Sequence, residues 1–236
     1  MGRPNVGKST LMNAMVGERL SIITSKAQTT RHRIHGIVNT PDYQIIFSDT
    51  PGILAPGYKL QETMLKAARS ALTDADILVY MTETGEKPDP DDPFLKRISR
   101  MKIPVLLVIN KIDLSDQDTV KDSVDRWNRV LPGAEKIPIS ALEDFNVDLL
   151  FSRILHHLPE SPPYFPKDAL TDKSERFLAG EMIREKIMMN YRKEIPYSVE
   201  VEIESFREEP DLIRISAVIF TEKESQKGIL IGNEGK

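Results

Sequence analysis

Residues 2–9 read Gly2-Arg3-Pro4-Asn5-Val6-Gly7-Lys8-Ser9, and no other stretch of the chain narrows the possible folds so far. Two glycines at this spacing let the backbone turn so that successive N–H groups converge on a polyphosphate lying at the start of a helix. Lys8 adds a mobile positive charge for the outer phosphates, and Ser9 adds a hydroxyl ligand for magnesium. Thr10 follows as the last member of this nucleotide-facing set. A plain glycine-rich turn before a helix would satisfy the same pattern, so the choice rests on three segments further along.

The first two follow directly. Residues 8–16 form a helix with Leu11, Met12 and Met15 for burial, closed by Gly17. Residues 18–33 are polar and carry Gln28-Thr29-Thr30-Arg31, read as a mobile segment able to bring a threonine hydroxyl to phosphate-bound magnesium; a polar loop with a capping threonine is the alternative. Strands at 34–39 and 43–48 are joined by a turn at Thr40-Pro41-Asp42, and the second ends in Asp49-Thr50-Pro51-Gly52. A carboxylate at a strand end holds magnesium through water, and the glycine after it places an N–H beside the terminal phosphate. Beyond lie a helix at 59–72, with Leu60, Met64, Ala67, Ala68 and Ala71 on one side, and a short apolar strand at 77–81. Residues 87–93 are acidic and proline-rich, a solvated loop with Pro93 in the first turn of the next helix.

The third segment names the base. A buried strand at 105–109 delivers Asn110-Lys111-Ile112-Asp113. A fixed carboxylate at Asp113 accepts from both the ring N–H and the exocyclic amine of guanine, a donor pair that adenine lacks. A site built on such a group rejects the wrong ligand by roughly 10⁴ or more. Lys111 would lie along the base, and Asn110 would tie this loop to the phosphate loop. A helix at 118–130 is anchored by Trp127, a strand at 137–139 precedes Ser140-Ala141-Leu142, and a helix at 145–158 closes the unit. The small residues at 140 and 141 let backbone N–H groups approach the guanine oxygen. Strands alternating with helices, with ligand loops at the strand ends, give an α/β doubly wound fold with a mostly parallel sheet over residues 1–160.

Pro159, Pro162, Pro163 and Pro166 exclude a helix across the following stretch and make it a stiff linker. A helix at 175–191 then has Phe177, Ile183, Ile187 and Tyr191 as its buried side. Val199, Val201 and Ile203 alternate with Glu200, Glu202 and Glu204, so the next strand has an apolar and an acidic face; Ile213, Ile215, Ala217 and Ile219 repeat the alternation. A helix at 225–231 is interrupted by Gly232-Asn233-Glu234-Gly235, a GxxG turn of the type that clamps single-stranded RNA. Lys227, Gly232, Asn233, Gly235 and Lys236 are the RNA-facing candidates, while Glu234 puts a negative charge where phosphate would lie.

Composition removes several other chemistries. The chain has no cysteine, which excludes disulfides, thiolate metal sites and cysteine nucleophiles and suits a reducing compartment. The histidines at 32, 35, 156 and 157 form no metal-site pattern. No apolar run reaches membrane-span length, and no signal peptide is visible. Net charge is −4, and residues 161–236 hold twelve Lys/Arg against fifteen Asp/Glu, so RNA contact has to come from a local patch. A phosphate loop ordinarily follows a buried strand, yet only Met1 precedes Gly2, and the chain stops where a helix should follow the GxxG turn. The expectation is a polypeptide lacking its first strand and the end of its second module, with an unfilled sheet centre.

Taken in order, residues 2–9, Gln28-Thr29-Thr30-Arg31, Asp49-Thr50-Pro51-Gly52, Asn110-Lys111-Ile112-Asp113 and Ser140-Ala141-Leu142 resemble the translation-factor class of GTPases, and more closely the Era family. The order helix, strand, strand, helix, GxxG in the second part is similar to the KH module of that family. The resemblance implies a P-loop GTPase domain at 1–160, a linker at 161–173 and a smaller α+β KH-like domain of type II at 174–236. It implies GTP hydrolysis with Mg2+ held by Ser9, Thr30 and Asp49, choosing Thr30 over Thr29, and a catalytic set of Lys8, Thr30 and Gly52. Ile53 stands where many GTPases carry a water-orienting glutamine, so slow intrinsic turnover is implied. Asn5 resembles an asparagine that holds K+ in some relatives. Small-subunit ribosomal RNA and the small ribosomal subunit are the implied partners, in the cytoplasm, with peripheral association at the inner face of the cell membrane as an added location. Two other functions fit the same residues: an RNA-binding protein with GTP as a structural ligand, and a GTPase of membrane or cell-cycle signalling.

Overall fold

Apolar runs too short for helices, bounded by turns, become the parallel strands on which the molecule is built. The structure is a computed structural model that describes residues 1–53 and 59–232. Its elements run α1 (Lys8–Val16), β1 (Ile34–Asn39), β2 (Gln44–Asp49), α2 (Lys59–Thr73), β3 (Leu78–Glu83), α3 (Pro93–Ile98), β4 (Val105–Asn110), α4 (Gln117–Val130), β5 (Glu135–Pro138) and α5 (Val147–His157). A second group follows, with α6 (Glu175–Asn190), β6 (Val199–Glu209), β7 (Leu212–Thr221) and α7 (Glu224–Ile231).

β3, β4 and β5 pair in parallel in that order, and β1 pairs with β2 antiparallel. Leu106, Leu107, Val108 and Ile109 of β4 are fully buried, as a strand covered on both faces requires. One apolar cluster gathers α1 and α5 on one side of the sheet; on the other Trp127, also fully buried, packs with Tyr80 and Leu107. Between β2 and β3 lies a cavity of about 640 Å³, lined by Ile45, Phe47, Leu78, Val79 and Ile154. Gly2 bridges in parallel to Met81, so the phosphate loop starts from the edge of β3.

Several boundaries move from their sequence expectations for identifiable reasons. β3 runs on to Glu83 because it stays in register with β4 as far as Asn110. β2 ends at Asp49 rather than Ser48 because Asp49 pairs with Ile34. α4 begins at Gln117, where the Asp116 carboxylate accepts from the Thr119 N–H at 2.7 Å. α5 begins only at Val147: Phe145 exchanges backbone hydrogen bonds with Ser140 at 3.0 and 3.1 Å, and Asn146 is left-handed with φ 59°.

The stretch after α5 is not a free spacer. Ile37 N–H donates to Leu170 O at 2.8 Å, and Gln44 bonds the backbone of Tyr164 and Phe165, so the chain lies along the β1–β2 pair. That covers a sheet edge which would otherwise offer unpaired backbone groups.

The expected apolar side of α6 is corrected. Ile187 is buried, but Phe177, Ile183 and Tyr191 are only half-buried, and the deepest positions include Glu181, Arg184, Glu185 and Met188. These charges are buried against residues 18–33 instead of facing water. β6 has the alternation its sequence implies, with Val199 buried and Glu200 and Glu202 exposed. On β7, Ile213, Ile215 and Ile219 are exposed.

Candidate nucleotide-binding site

The ends of β2, β4 and β5 all point to one side, which is where parallel α/β sheets place their ligands. A cavity of about 580 Å³ there is lined by Pro4, Asn5, Gly7, Lys8, Ser9 and Thr10, by parts of 22–30, by Gly52, and by Asn110, Lys111, Asp113, Ala141 and Leu142. Five separate stretches of sequence thus meet around one space. Gly2, Val6, Thr50 and Pro51 are buried and stand behind its wall. Arg3 points outward to Glu86, at 3.0 Å.

At the phosphate end the loop adopts the conformation its glycines permit, with Gly7 at φ 99° and Asn5 at φ 63°. Lys8 Nζ donates to the Arg3 carbonyl at 2.7 Å, folding the lysine over its own loop. Desolvation pulls the Lys8 ammonium down from 10.5 to about 8, opposed in part by the nearby Asp49 carboxylate. Asn5 Nδ2 donates to Ser25 O at 2.8 Å, tying the loop to the polar segment.

Behind Lys8 the three expected magnesium ligands converge. Ser9 Oγ donates to Asp49 Oδ2 at 2.7 Å and lies 3.1 Å from Thr30 Oγ1, which donates to Asp49 Oδ2 at 3.3 Å. Thr29 turns elsewhere: its hydroxyl meets Thr24 at 2.6 Å and Lys26 O at 2.7 Å. Asp49 Oδ1 is buried with no hydrogen-bond partner among the described residues. Two hydroxyls and a carboxylate with an unpaired oxygen form the hard, oxygen-only donor set that suits Mg2+. Gly52 lies against the loop so closely that a Cβ there would sit 2.7 Å from Pro4 N.

At the base end, Asp113 is exposed at the cavity rim and accepts from Ser140 Oγ at 2.5 Å. Lys111, left-handed at φ 62°, extends to Glu83 at 2.5 Å. Asn110 joins the two ends: Nδ2 donates to Val6 O at 2.8 Å, and Oδ1 accepts from the Ala141 N–H at 2.9 Å.

The N-terminal part matches the family model described as 50S ribosome-binding GTPase over residues 1–111, and residues 194–236 match the KH domain model. The chain is 48% identical over 238 residues to GTPase Era of Syntrophus aciditrophicus (strain SB), a match spanning all of this chain and 78% of that protein. The chain belongs to the Era GTPase family. Its fold superposes on a crystal structure of Era in complex with MgGDPNP and nucleotides 1506-1542 of 16S ribosomal RNA, with a TM-score of 0.92 and 40% identity over 99% of this chain and 81% of the other. A point variant of Aquifex aeolicus Era bound to GDP.AlF4- gives the same TM-score and identity, over 100% and 81%. Membership of the Era family makes the chain a GTPase with a P-loop domain followed by a KH domain.

The RNA-facing candidates are only partly visible in this Era family member. Lys227 is exposed and pairs with Glu224 at 3.2 Å, and Gly232 caps α7 at φ 74°. Asn233, Gly235 and Lys236 lie outside the described residues. Among the described residues no helix is long and apolar enough to cross a membrane.

Sequence reasoning missed the partners that hold the site in place. Glu83 fixes Lys111, Ser25 fixes Asn5, and a set of charges on α6 and after it grips residues 18–33. One signal was available. Glu181, Arg184 and Glu185 share a helical face with Met188 at spacings of three and four, the spacing of a buried stripe.

Proposed function

We propose that this GTPase is a switch that binds small-subunit ribosomal RNA through its KH domain and assists assembly of the small ribosomal subunit in the cytoplasm, with division into units at 1–160, 161–173 and 174–236. The observation that carries the reading is Asn110. One side chain links the loop that would hold phosphates to the segment that would hold the base, so a single purine triphosphate spans the pair. The Era structure bound to a segment of 16S ribosomal RNA supports the RNA half.

In this reading Asp113 selects guanine, with the Ala141 and Leu142 backbone near the guanine oxygen and Lys111 along the ring. Lys8 leaves the Arg3 carbonyl for the outer phosphates, trading one neutral acceptor for a charged one. Ser9, Thr30 and Asp49 hold Mg2+, which when bound neutralises charge developing on the transferred phosphoryl group. Gly52 offers its N–H to the terminal phosphate. Ile53 has no hydrogen-bonding side chain, so the attacking water is oriented by backbone, magnesium or another charge, and turnover is slow. K+ at Asn5 is the second ion of this reading; equal hydrolysis rates in sodium and potassium would remove it.

Calorimetry with GTP and ATP, with and without Mg2+, tests the nucleotide half: tight Mg2+-assisted GTP binding is expected, and equal affinity for ATP overturns it. RNA affinity measured with GTP, GDP and no nucleotide tests the switch, since a switch requires the states to differ in affinity. Equal RNA affinity in all three would make GTP a structural ligand.

A further inference from the structure

Thr30 is held from outside the nucleotide site. Its neighbour Arg31 turns away from the cavity and donates to the carbonyls of Pro196, Tyr197 and Val199 at 3.2, 3.1 and 2.7 Å. Pro196 and Tyr197 belong to a single 3-10 turn, Ile195–Tyr197, whose last carbonyls have no partner within the turn, so Arg31 caps it. On the other side of Thr30, Arg184 of α6 donates to the Thr29 carbonyl. Arg184 is itself held by both oxygens of Glu181, at 2.7 and 2.6 Å.

Both guanidiniums are buried, with side chains 4% and 2% exposed. Two buried cations side by side repel, and burial alone disfavours each of them. Oxygens offset that cost: three carbonyls and Glu200 accept from the Arg31 Nη atoms, while its Nε has no partner among the described residues, and Glu181 and the Thr29 carbonyl accept from Arg184; charge-assisted bonds of this kind are the strong ones. The peptide unit before Thr30 is therefore tied to α6, and the side chain of the residue after it is tied to the 195–199 stretch. Between these anchors the Thr30 hydroxyl lies 3.1 Å from Ser9 Oγ.

We propose that Arg31 and Arg184 are positioning residues for hydrolysis: Arg184 from α6, and Arg31 by its grip on the 195–199 stretch, hold Thr30 in the geometry that magnesium needs. The inference rests on the reading of Thr30 as a magnesium ligand. In this proposal a movement of α6 reaches Thr30 through the Thr29 carbonyl, and one of the 195–197 turn through the Arg31 side chain. Neither arginine lines the nucleotide cavity.

The test uses the whole chain and the variants Arg31→Met, Arg31→Lys, Arg184→Met and the double variant Glu181→Gln/Arg184→Met. GDP affinity, the rate constant for GTP hydrolysis and the Mg2+ concentration for half-maximal rate are measured for each. Loss of an orienting partner of a metal ligand typically costs 10- to 100-fold, so the Met variants should hydrolyse GTP roughly 10- to 100-fold more slowly and need correspondingly more Mg2+. GDP affinity should hold, and Arg31→Lys should recover part of the loss. Unchanged rate and Mg2+ requirement in both Met variants overturns the proposal. If Arg31→Met loses GDP binding, the double variant, which removes both buried charges of its pair, decides; if that variant loses GDP binding too, the arginines hold the fold rather than Thr30 and the proposal falls. Thr30→Ala is run alongside: full activity there overturns the ligand reading itself, whereas its inactivation with unaffected arginine variants overturns only the present proposal.

Discussion

Asn110 Nδ2 lies 2.8 Å from the carbonyl oxygen of Val6, across 104 residues of sequence, and this contact joins the two ends of the nucleotide site. The same side chain accepts from Ala141 N–H, and the residue is only 3% exposed. Replacing it with alanine leaves one buried acceptor and one buried donor without partners. Each such group costs about 1–3 kcal/mol. Asn110→Ala should therefore lower the unfolding midpoint in a thermal or urea melt and weaken GTP binding together. A melt unchanged from wild type would show that the link carries no load.

Asp113 stands at the cavity rim with one oxygen bonded to Ser140 Oγ at 2.5 Å. An amide in its place keeps the shape, but while its oxygen still accepts from the ring N–H its NH2 faces the exocyclic amine of guanine, donor against donor. Xanthine, with a carbonyl where guanine has its amine, accepts from the new amide. Asp113→Asn should weaken GTP and favour xanthosine triphosphate in a competition assay, and an unchanged guanine preference would overturn the role of Asp113. The discrimination lost is of order 10⁴, the scale of a site built on one buried hydrogen-bonding pair.

How far the sequence reached differs between the two ends of the molecule. The elements of the first part were legible because β4 is a continuous apolar run and the loops around it use residues with narrow conformational or chemical purposes, such as Gly7 at φ 99°. Thr30 beside Ser9 and Asp49 came from the family resemblance, since the local sequence of residues 18–33 also allowed an ordinary polar loop. What packs against Thr30 was not legible. The buried face of α6 carries Glu181, Arg184 and Glu185, and periodicity alone assigns charges to solvent unless their partners are known. Besides the Glu181–Arg184 pair within the helix, those partners are the Thr29 carbonyl, the Ile23 N–H and Arg19, all remote in sequence. Helix ends moved where a local bond intervened, as Phe145 with Ser140 delays α5.

Gly52 has no room for a side chain. A Cβ would lie 2.7 Å from both Pro4 N and Pro4 Cγ, and the N–H of the next residue, Ile53, donates to Gly2 O at 3.0 Å. Backbone cannot yield as a flexible side chain would. Gly52→Ala should push the 49–53 segment off the phosphate loop, at a cost of about 1–3 kcal/mol typical of overpacking. If Gly52 offers its N–H to the terminal phosphate, as proposed above, affinity for GTP should fall more than affinity for GDP when both are titrated calorimetrically. Equal losses for the two nucleotides would mean that the glycine serves packing alone.

Lys8 makes the site sensitive to pH. Its ammonium titrates at about 8 in the ligand-free fold, against 10.5 for the ordinary side chain, chiefly because burial strips its water. Between those two values the unfolded chain holds a proton that the folded chain does not, so this group's contribution to stability rises with pH across the window. Nucleotide binding has the opposite sign. A polyphosphate against Nζ favours the charged form and lifts its pKa, so above about 8 binding must take up a proton, and affinity should fall by up to ~10-fold for each further pH unit. Titrating GTP at pH 7.5, 8.5 and 9.0 in two buffers of different ionisation enthalpy should show a proton uptake that grows with pH. The control is Lys8→Arg, whose guanidinium stays charged throughout and should remove that uptake even if it binds less well. Deprotonation of the purine ring near the top of this range would affect both chains alike. An affinity for wild type that stays flat, or an uptake that persists in Lys8→Arg, would assign the titrating group elsewhere.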